Sequence, residues 1–315
     1  MTFSADLWGH SFPRTRLLAL NKKAKSQQWD ANGLDWAIPS RFGSALPEDS
    51  AFALAAFQNS DLSAYGPGIW EAFRWEFQSW MVTQFLSGEH AALISANRLL
   101  EIVTDEDAKA CVANQVVDEA RHVAVFTRYI NEKIANPYPL SSSYVRLMRD
   151  ALNDARWDFT VLGMQIVVEG VALAAFRLGS SHFHDELIKR ICSLAARDEA
   201  RHVSFGIHSL DGFYENLTQG ELKERQEFVL EGLDLLGRSF LLTEIWERLE
   251  INKADGHSFA KNSSLTKDYR QAISMKSLSC LERLKLITPD FRDRLGGLDL
   301  LDPARDSSYL LAEVA

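Results

Sequence analysis

Three features of this sequence predict an all-α fold: a four-helix bundle with extra helices before and after it. From Ile69 onward, apolar residues recur at helical spacing over long stretches. Only eight prolines occur in 315 residues, too few for a loop-rich chain. The third feature is a repeat. Asp118-Glu119-Ala120-Arg121-His122-Val123 returns letter for letter, 80 positions later, as Asp198-Glu199-Ala200-Arg201-His202-Val203. A glutamate stands 30 positions before the central glutamate of each copy: Glu89 before Glu119, and Glu169 before Glu199.

The expected layout is one domain, 1–315, in three parts: an N-terminal wrap (1–68), the bundle (69–209), then C-terminal helices and a tail (210–315). In the wrap, Arg14 to Ser26 suits a helix. Gln28 to Pro47 has turn character with Trp29, Trp36 and Phe42 as anchors, and Asp49 to Phe57 suits a short helix. The Gly66-Pro67-Gly68 turn ends it. Helix A is expected over 69–103. Helix B follows a cap at Thr104 or Asp105 and runs to about 135, with Glu106 and Asp107 suiting the positive end of the helix dipole. Asn136-Pro137-Tyr138-Pro139 is a firm break, since proline does not fit a helix interior. A connecting helix over 141–153 leads to helix C (155–178). A turn at Gly179-Ser180-Ser181 leads to helix D (182–208). Helix E is expected over 221–250 and a last helix over 265–286, with a packed or partly loose tail after Pro289.

In an antiparallel hairpin, residues equidistant from the turn sit at equal height. Glu89 and Glu119 centre on residue 104, in the turn between A and B. Glu169 and Glu199 centre on residue 184, just past the turn expected between C and D. At about 1.5 Å per residue, each pair lies roughly 20 Å from its turn. Each hairpin therefore presents one Glu opposite a Glu-x-x-His, whose i, i+3 spacing puts both side chains on one face.

Two such hairpins packed face to face bring six donors together, the arrangement of di-iron or di-manganese carboxylate bundles. Carboxylates with imidazoles and open positions suit iron(II) or manganese(II) better than a closed zinc site. Glu89 and His122 are expected to bind one metal, Glu169 and His202 the other, with Glu119 and Glu199 bridging. Two divalent cations balance four carboxylates, which lets four acids share a buried site. A single DEARH reads more plainly as a solvated helix face with an Asp–Arg pair. That reading fails for Glu169, which lies in the apolar run TVLGMQIVVEGVALAAF, where an unpaired acid is costly.

Asp118 and Asp198 are candidates to accept the free N–H of a ligand histidine and fix its tautomer. Arg121 and Arg201 would neutralise them, with surface ion pairs as the alternative. One or two turns from the ligands lie Gln115, Phe126, Gln165, Leu173 and Phe205, candidates to line a substrate pocket. Gln115 and Gln165 would orient the substrate or bond a ligand carboxylate; a fully packed core is the other reading of that region. Cys111, Cys192 and the remaining histidines lie outside the repeated register.

The rest of the sequence excludes several classes. A net charge of −9 disfavours nucleic acid as a partner. Three dispersed cysteines without CxxC exclude a rubredoxin-type iron site and suit a reducing cytoplasm. Met1 to Leu20 lacks the charged-then-apolar order of a signal peptide. The run from Thr160 to Phe176 is short for a membrane span and carries Glu169, so a buried core helix is expected instead. The long helices A and B suit a homodimer.

The doubled Glu-x28-Asp-Glu-Ala-Arg-His resembles the ferritin-like di-iron carboxylate proteins, specifically their oxygenase and oxidase branch. It looks like the hydroxylase subunits of bacterial multicomponent monooxygenases. It is also similar, more loosely, to arylamine N-oxygenases and the small subunit of class I ribonucleotide reductase. The resemblance covers about residues 69–209. It implies a reduced di-iron centre (manganese/iron or di-manganese being the variants) that activates O2 and oxidises a bound substrate, which the open, carboxylate-rich site in an apolar bundle suggests is small and largely apolar. The electrons would come from a ferredoxin or reductase. Three positions depart from those relatives. Phe126 stands where the reductase subunit has its radical tyrosine, Leu173 where the monooxygenases have a threonine, and Ala195 where the N-oxygenases have a third histidine. The chain is also shorter than the monooxygenase subunits. A radical-generating or ligand-binding oxidase, and a ferritin- or rubrerythrin-type iron handler, are the alternatives.

Overall fold

The computed structural model describes residues 14–40, 51–140, 142–154 and 156–298. Phe42, Asp49 and the tail beyond residue 298 lie outside that range. The described chain is helical, with no strand among the described residues. Two antiparallel hairpins form the centre. The first pairs α3 (Gly68–Ile102) with α4 (Glu106–Lys133). The second begins with α6 (Trp157–Thr160), which runs on without interruption through Val161–Val168 into α7 (Glu169–His182); its partner is α8 (Glu186–Leu210). Helix α1 (Arg14–Ser26) lies over α4 and α8, and a short α2 (Ala51–Gln58) follows. α5 (Ser142–Asn153) links the hairpins. The C-terminal helices are α9 (Gln219–Ser239), α10 (Thr243–Arg248), α11 (Lys253–Asn262), α12 (Ser264–Arg283) and α13 (Pro289–Gly296).

Local chemistry explains most boundaries. Asp105, not Thr104, caps α4, its carboxylate accepting from the Ala108 N–H at 2.8 Å. The second hairpin departs from the sequence expectation. Gly179, Ser180 and Ser181 are helical, and the turn is Phe183 to Asp185. The two serine hydroxyls donate back to the Arg177 carbonyl, and Asp185 caps α8 at the Leu187 and Ile188 N–H groups. Gly179 serves packing, because a Cβ there would stand 2.7 Å from the Phe183 ring. Residue 184 thus falls inside the turn.

Helix E, expected over 221–250, is two helices. Leu242 takes a left-handed backbone (φ 55°) and turns the chain, so that Trp246 stacks on Phe73 of α3 with centroids 5.1 Å apart. Helix α11, absent from the sequence reading, completes that aromatic cluster through Phe259. Gly256 allows it, since a Cβ there would lie 2.3 Å from the Trp246 ring.

The Val161–Val168 stretch is wound as a π-helix, the Glu169 N–H bonding the Met164 carbonyl five residues back. Such wide turns are uncommon and cluster at functional sites. Here α12 supports the turn: the Ser277 hydroxyl donates to the Val167 carbonyl at 2.9 Å. A Cβ on Gly170 would sit 2.5 Å from that hydroxyl oxygen and 3.2 Å from the Ser277 Cα. Gly170→Ala is therefore expected to push α12 away and cost about 1–3 kcal/mol, as overpacking does, read as a lower urea midpoint. An unchanged midpoint would contradict this account of the π turn.

Candidate metal centre

The six sequence-selected donors converge between the hairpins. Glu89, Glu119, His122, Glu169, Glu199 and His202 are all buried, none more than 3% exposed. They fall into two overlapping sets. Glu89, Glu119, His122 and Glu199 offer ligand atoms within 4.8 Å of one another, and so do Glu119, Glu169, Glu199 and His202. The shared members are Glu119 and Glu199. The His122 Nδ1 lies 3.1 Å from Glu89, 3.4 Å from Glu119 and 3.4 Å from Glu199. The His202 Nδ1 lies 3.0 Å from Glu119 and 3.5 Å from Glu199.

The far side of each imidazole is held crosswise. The His122 Nε2 meets Asp198, and the His202 Nε2 meets Asp118, both at 3.2 Å. Each aspartate therefore supports the histidine of the other motif. Arg201 donates to Asp118 at 2.7 Å and to Asp198 at 2.9 Å; Arg121 donates to Asp198 at 3.0 Å and more closely to Asp118. The result is a buried Asp2Arg2 quartet beneath α1, not a set of surface pairs. Trp29 joins it, its indole N–H donating to Asp198 at 2.7 Å while its ring stacks beside His122. The sequence reading made Trp29 only an anchor; no local pattern marks its distant carboxylate partner.

Electrostatics shows what the cluster lacks. Burial pushes the Glu89 carboxyl well above its usual range, and His122 only partly offsets that. Burial does the same to Glu169, reinforced by the charges of Glu199 and Glu119. For Glu119 burial also acts upward, but the contacts with His202 and His122 outweigh it and hold the group low. Burial disfavours the cationic forms of His122 and His202, yet the surrounding carboxylates hold both well above the usual imidazole range. Four acids thus face two imidazoles with too little positive charge among them. Several polar atoms there have no hydrogen-bond partner: Glu119 Oε2, Glu169 Oε2, both Glu199 oxygens and His202 Nδ1. Orphaned oxygens and a ring nitrogen turned toward one point fit two divalent cations, which would supply both the charge and the missing partners.

The pocket candidates are placed differently from expectation. Gln115 donates to Glu169 at 2.9 Å and Glu119 at 3.3 Å, and its own oxygen accepts from Gln165 at 2.8 Å. Both glutamines thus belong to a chain that ends on the ligand carboxylates. Phe126 stacks on Phe176 within the core, Phe205 faces a small space beneath α1, and Leu173 is packed in the core. None of the five lines the apolar cavity beside the donor carboxylates. That cavity, about 70 Å³, has room for roughly five waters. It runs between α3 and α7 toward α9 and α12. Phe85, Ala92, Ala172 and Phe176 form its walls, with Phe240 and Tyr269 at its far side, and it opens onto Glu89, Glu169 and Glu199. Being one turn from a ligand did not place a residue here, because the open side depends on which neighbour each helix packs against. The apolar run noted in the sequence belongs to the helix Trp157–His182, long and apolar enough to cross a membrane, but 94% of its 18-residue apolar stretch is buried inside the bundle.

No family model matches the chain, and no curated protein does. Solved structures do. An R2-like ligand-binding oxidase with an aerobically reconstituted Mn/Fe cofactor is 18% identical, at a TM-score of 0.51 over 90% of this chain and 94% of that one. The R2-like ligand-binding oxidase from Sulfolobus acidocaldarius is 17% identical, at a TM-score of 0.51 over 87% and 92% of the two chains. This chain has the ferritin-like helical-bundle fold, and its interior holds a buried carboxylate–histidine cluster that fits a dinuclear metal site. Among solved proteins of that fold, it is similar along nearly its whole length to the R2-like ligand-binding oxidases.

Proposed function

We propose that this protein is an O2-dependent oxidase or oxygenase with two iron ions, or one manganese and one iron, bound by Glu89, Glu119, His122, Glu169, Glu199 and His202. Its substrate is a small, largely apolar organic molecule. The carrying observation is that the apolar cavity ends on three of the ligand carboxylates, Glu89, Glu169 and Glu199. The metal pair, when bound, supplies electrons to O2. The chain's own residues hold the imidazoles through Asp118 and Asp198, brace Glu169 through Gln115, and surround the organic molecule with aromatic and small apolar walls that exclude water. The manganese/iron alternative and the ligand-binding oxidase reading draw support from the likeness to R2-like ligand-binding oxidases, one of them carrying Mn/Fe. Phe126, fully buried against Phe176, offers no phenol for a radical at that position.

The same reading requires an external electron donor and places the protein in the cytoplasm, where its three free, buried cysteines stay reduced. It also admits a homodimer. Ile94 of α3 and Val117 of α4 are each 52% exposed, and Ala113, Ala120 and Ala124 of α4 are exposed as well. Anaerobic loading with iron(II) followed by O2 should give a transient visible absorption and measurable O2 uptake. Filling the cavity with Ala172→Trp should leave the bound metal unchanged and slow oxidation of the organic substrate about tenfold or more, as lost positioning does. A chain that takes up neither iron nor manganese would end this reading.

A further inference from the structure

We infer that the groove between α1, α7 and α8 docks a small acidic electron-carrying protein. The inference rests on the oxidase reading, which needs electrons from outside. The groove has a volume of about 440 Å³ and is lined by Lys23, Arg177 and Arg197 with Leu20, Gln27, serines and alanines, and by Arg201, whose charge is already matched by Asp118 and Asp198 beneath; no acidic side chain among the described residues lines it. That is a reversal of sign on a chain of net charge −9. Helix α1 adds the exposed Lys22 and Lys25 and carries no acid, while its Arg16 pairs with Asp211. A basic groove on an acidic chain attracts a negatively charged partner to this one face, since opposed charge steers encounter.

The position matters as much as the charge. Arg201 forms part of the groove wall, and its guanidinium donates to Asp118 at 2.7 Å. The same Asp118 oxygen meets the His202 Nε2 at 3.2 Å. Two hydrogen-bond links therefore join the wall of the basic groove to a ligand imidazole. On its other side, α1 covers the small space that Asp118 and His202 line, so one helix separates that side of the centre from solvent. A carrier seated in the groove would pass one electron per encounter: its iron–sulfur cluster would be oxidised by one electron, and one metal ion held by the ligand residues would be reduced by one.

The test uses the full chain without metal, with an oxidised plant-type [2Fe–2S] ferredoxin as the acidic probe, by titration calorimetry. Binding is expected at about 0.02 M salt and loss of it at about 0.5 M, as screening requires. Lys23→Glu, and Ser193→Glu on the exposed groove rim of α8, should each weaken binding about tenfold. Lys253→Glu on α11 makes the same charge change as Lys23→Glu, and a larger one than Ser193→Glu, elsewhere on the protein and should leave affinity unaltered. Equal weakening by all three variants, affinity indifferent to all of them, or no ferredoxin binding at low salt would overturn the proposal. So would a groove that binds inorganic phosphate but no ferredoxin. Docking is measured without metal, so it can fail while the two-metal reading stands; a chain that takes up no iron would sink the oxidase reading whatever the groove binds.

Discussion

Glu119→Ala should leave the chain with neither metal ion, whereas Glu89→Ala should cost it only one. The expectation follows from membership of the two donor sets. Glu119 belongs to both, and Glu89 only to the set that contains His122. Removing Glu119 withdraws a negative charge and an oxygen donor from each ion at once, leaving both Nδ1 atoms without their Glu119 contact. Glu199→Ala should behave like Glu119→Ala, and Glu169→Ala like Glu89→Ala with the other ion lost. The measurement is metal per chain after anaerobic loading and desalting, against about two for the unaltered protein. Far-UV circular dichroism confirms that each variant keeps its helices. If Glu89→Ala and Glu119→Ala lose metal equally, the bridging assignment is wrong, although the site itself survives.

The second large effect is crossed between the motifs. Asp118→Asn should weaken the ion held by His202 and Glu169 about 10–100-fold, the usual cost of losing an outer carboxylate, while the ion held by His122 and Glu89 keeps its affinity. Asp198→Asn should do the reverse. Anomalous scattering at limiting metal separates the two occupancies. Asp118 also accepts from Arg201 and Arg121, both largely buried, so its loss leaves the two guanidinium groups with Asp198 as their one carboxylate partner, beside the neutral oxygens of Gln27, Gln28 and Arg197. Breaking a buried ion pair in this way costs about 3–5 kcal/mol, and the apo protein should unfold at correspondingly lower urea. The sign with pH follows. Burial acts to raise the Asp118 and Asp198 carboxyls, but His202 and Arg201 for the one, and His122, Arg201 and Trp29 for the other, hold both below the usual range. Their contribution is present above the ordinary carboxylate pKa and is lost as the pH falls below it. Should Asp118→Asn loosen the His122 ion instead, the crosswise geometry would be refuted.

How much of this was legible in advance differs from residue to residue. The convergence of the six carboxylate and imidazole side chains was, because helical geometry turns a repeated spacing into a shared height. The span of α1 and the break before α5 were legible too, the latter because proline effects act within a few residues. The limits of α7 were not: Gly179-Ser180-Ser181 has turn composition, yet Phe183 packing and serine back-bonding keep it helical. Helix α11 was missed because what holds it is Trp246 and Phe73, residues from two other helices. The five pocket candidates missed the cavity for a related reason, as its far side comes from α9 and α12.

By itself the sequence determined which atoms can bind metal, how many ions they balance, and that paired long helices must bring them level. These follow from side-chain chemistry and from the fixed rise of an α-helix, both properties of the chain read along its length. Only the tertiary structure decided which aspartate holds which histidine, that Trp29 and the two arginines close the back of the site, and where the apolar space opens. Those depend on the rotation of each helix about its axis and on the identity of its neighbours, set by packing among residues far apart in sequence.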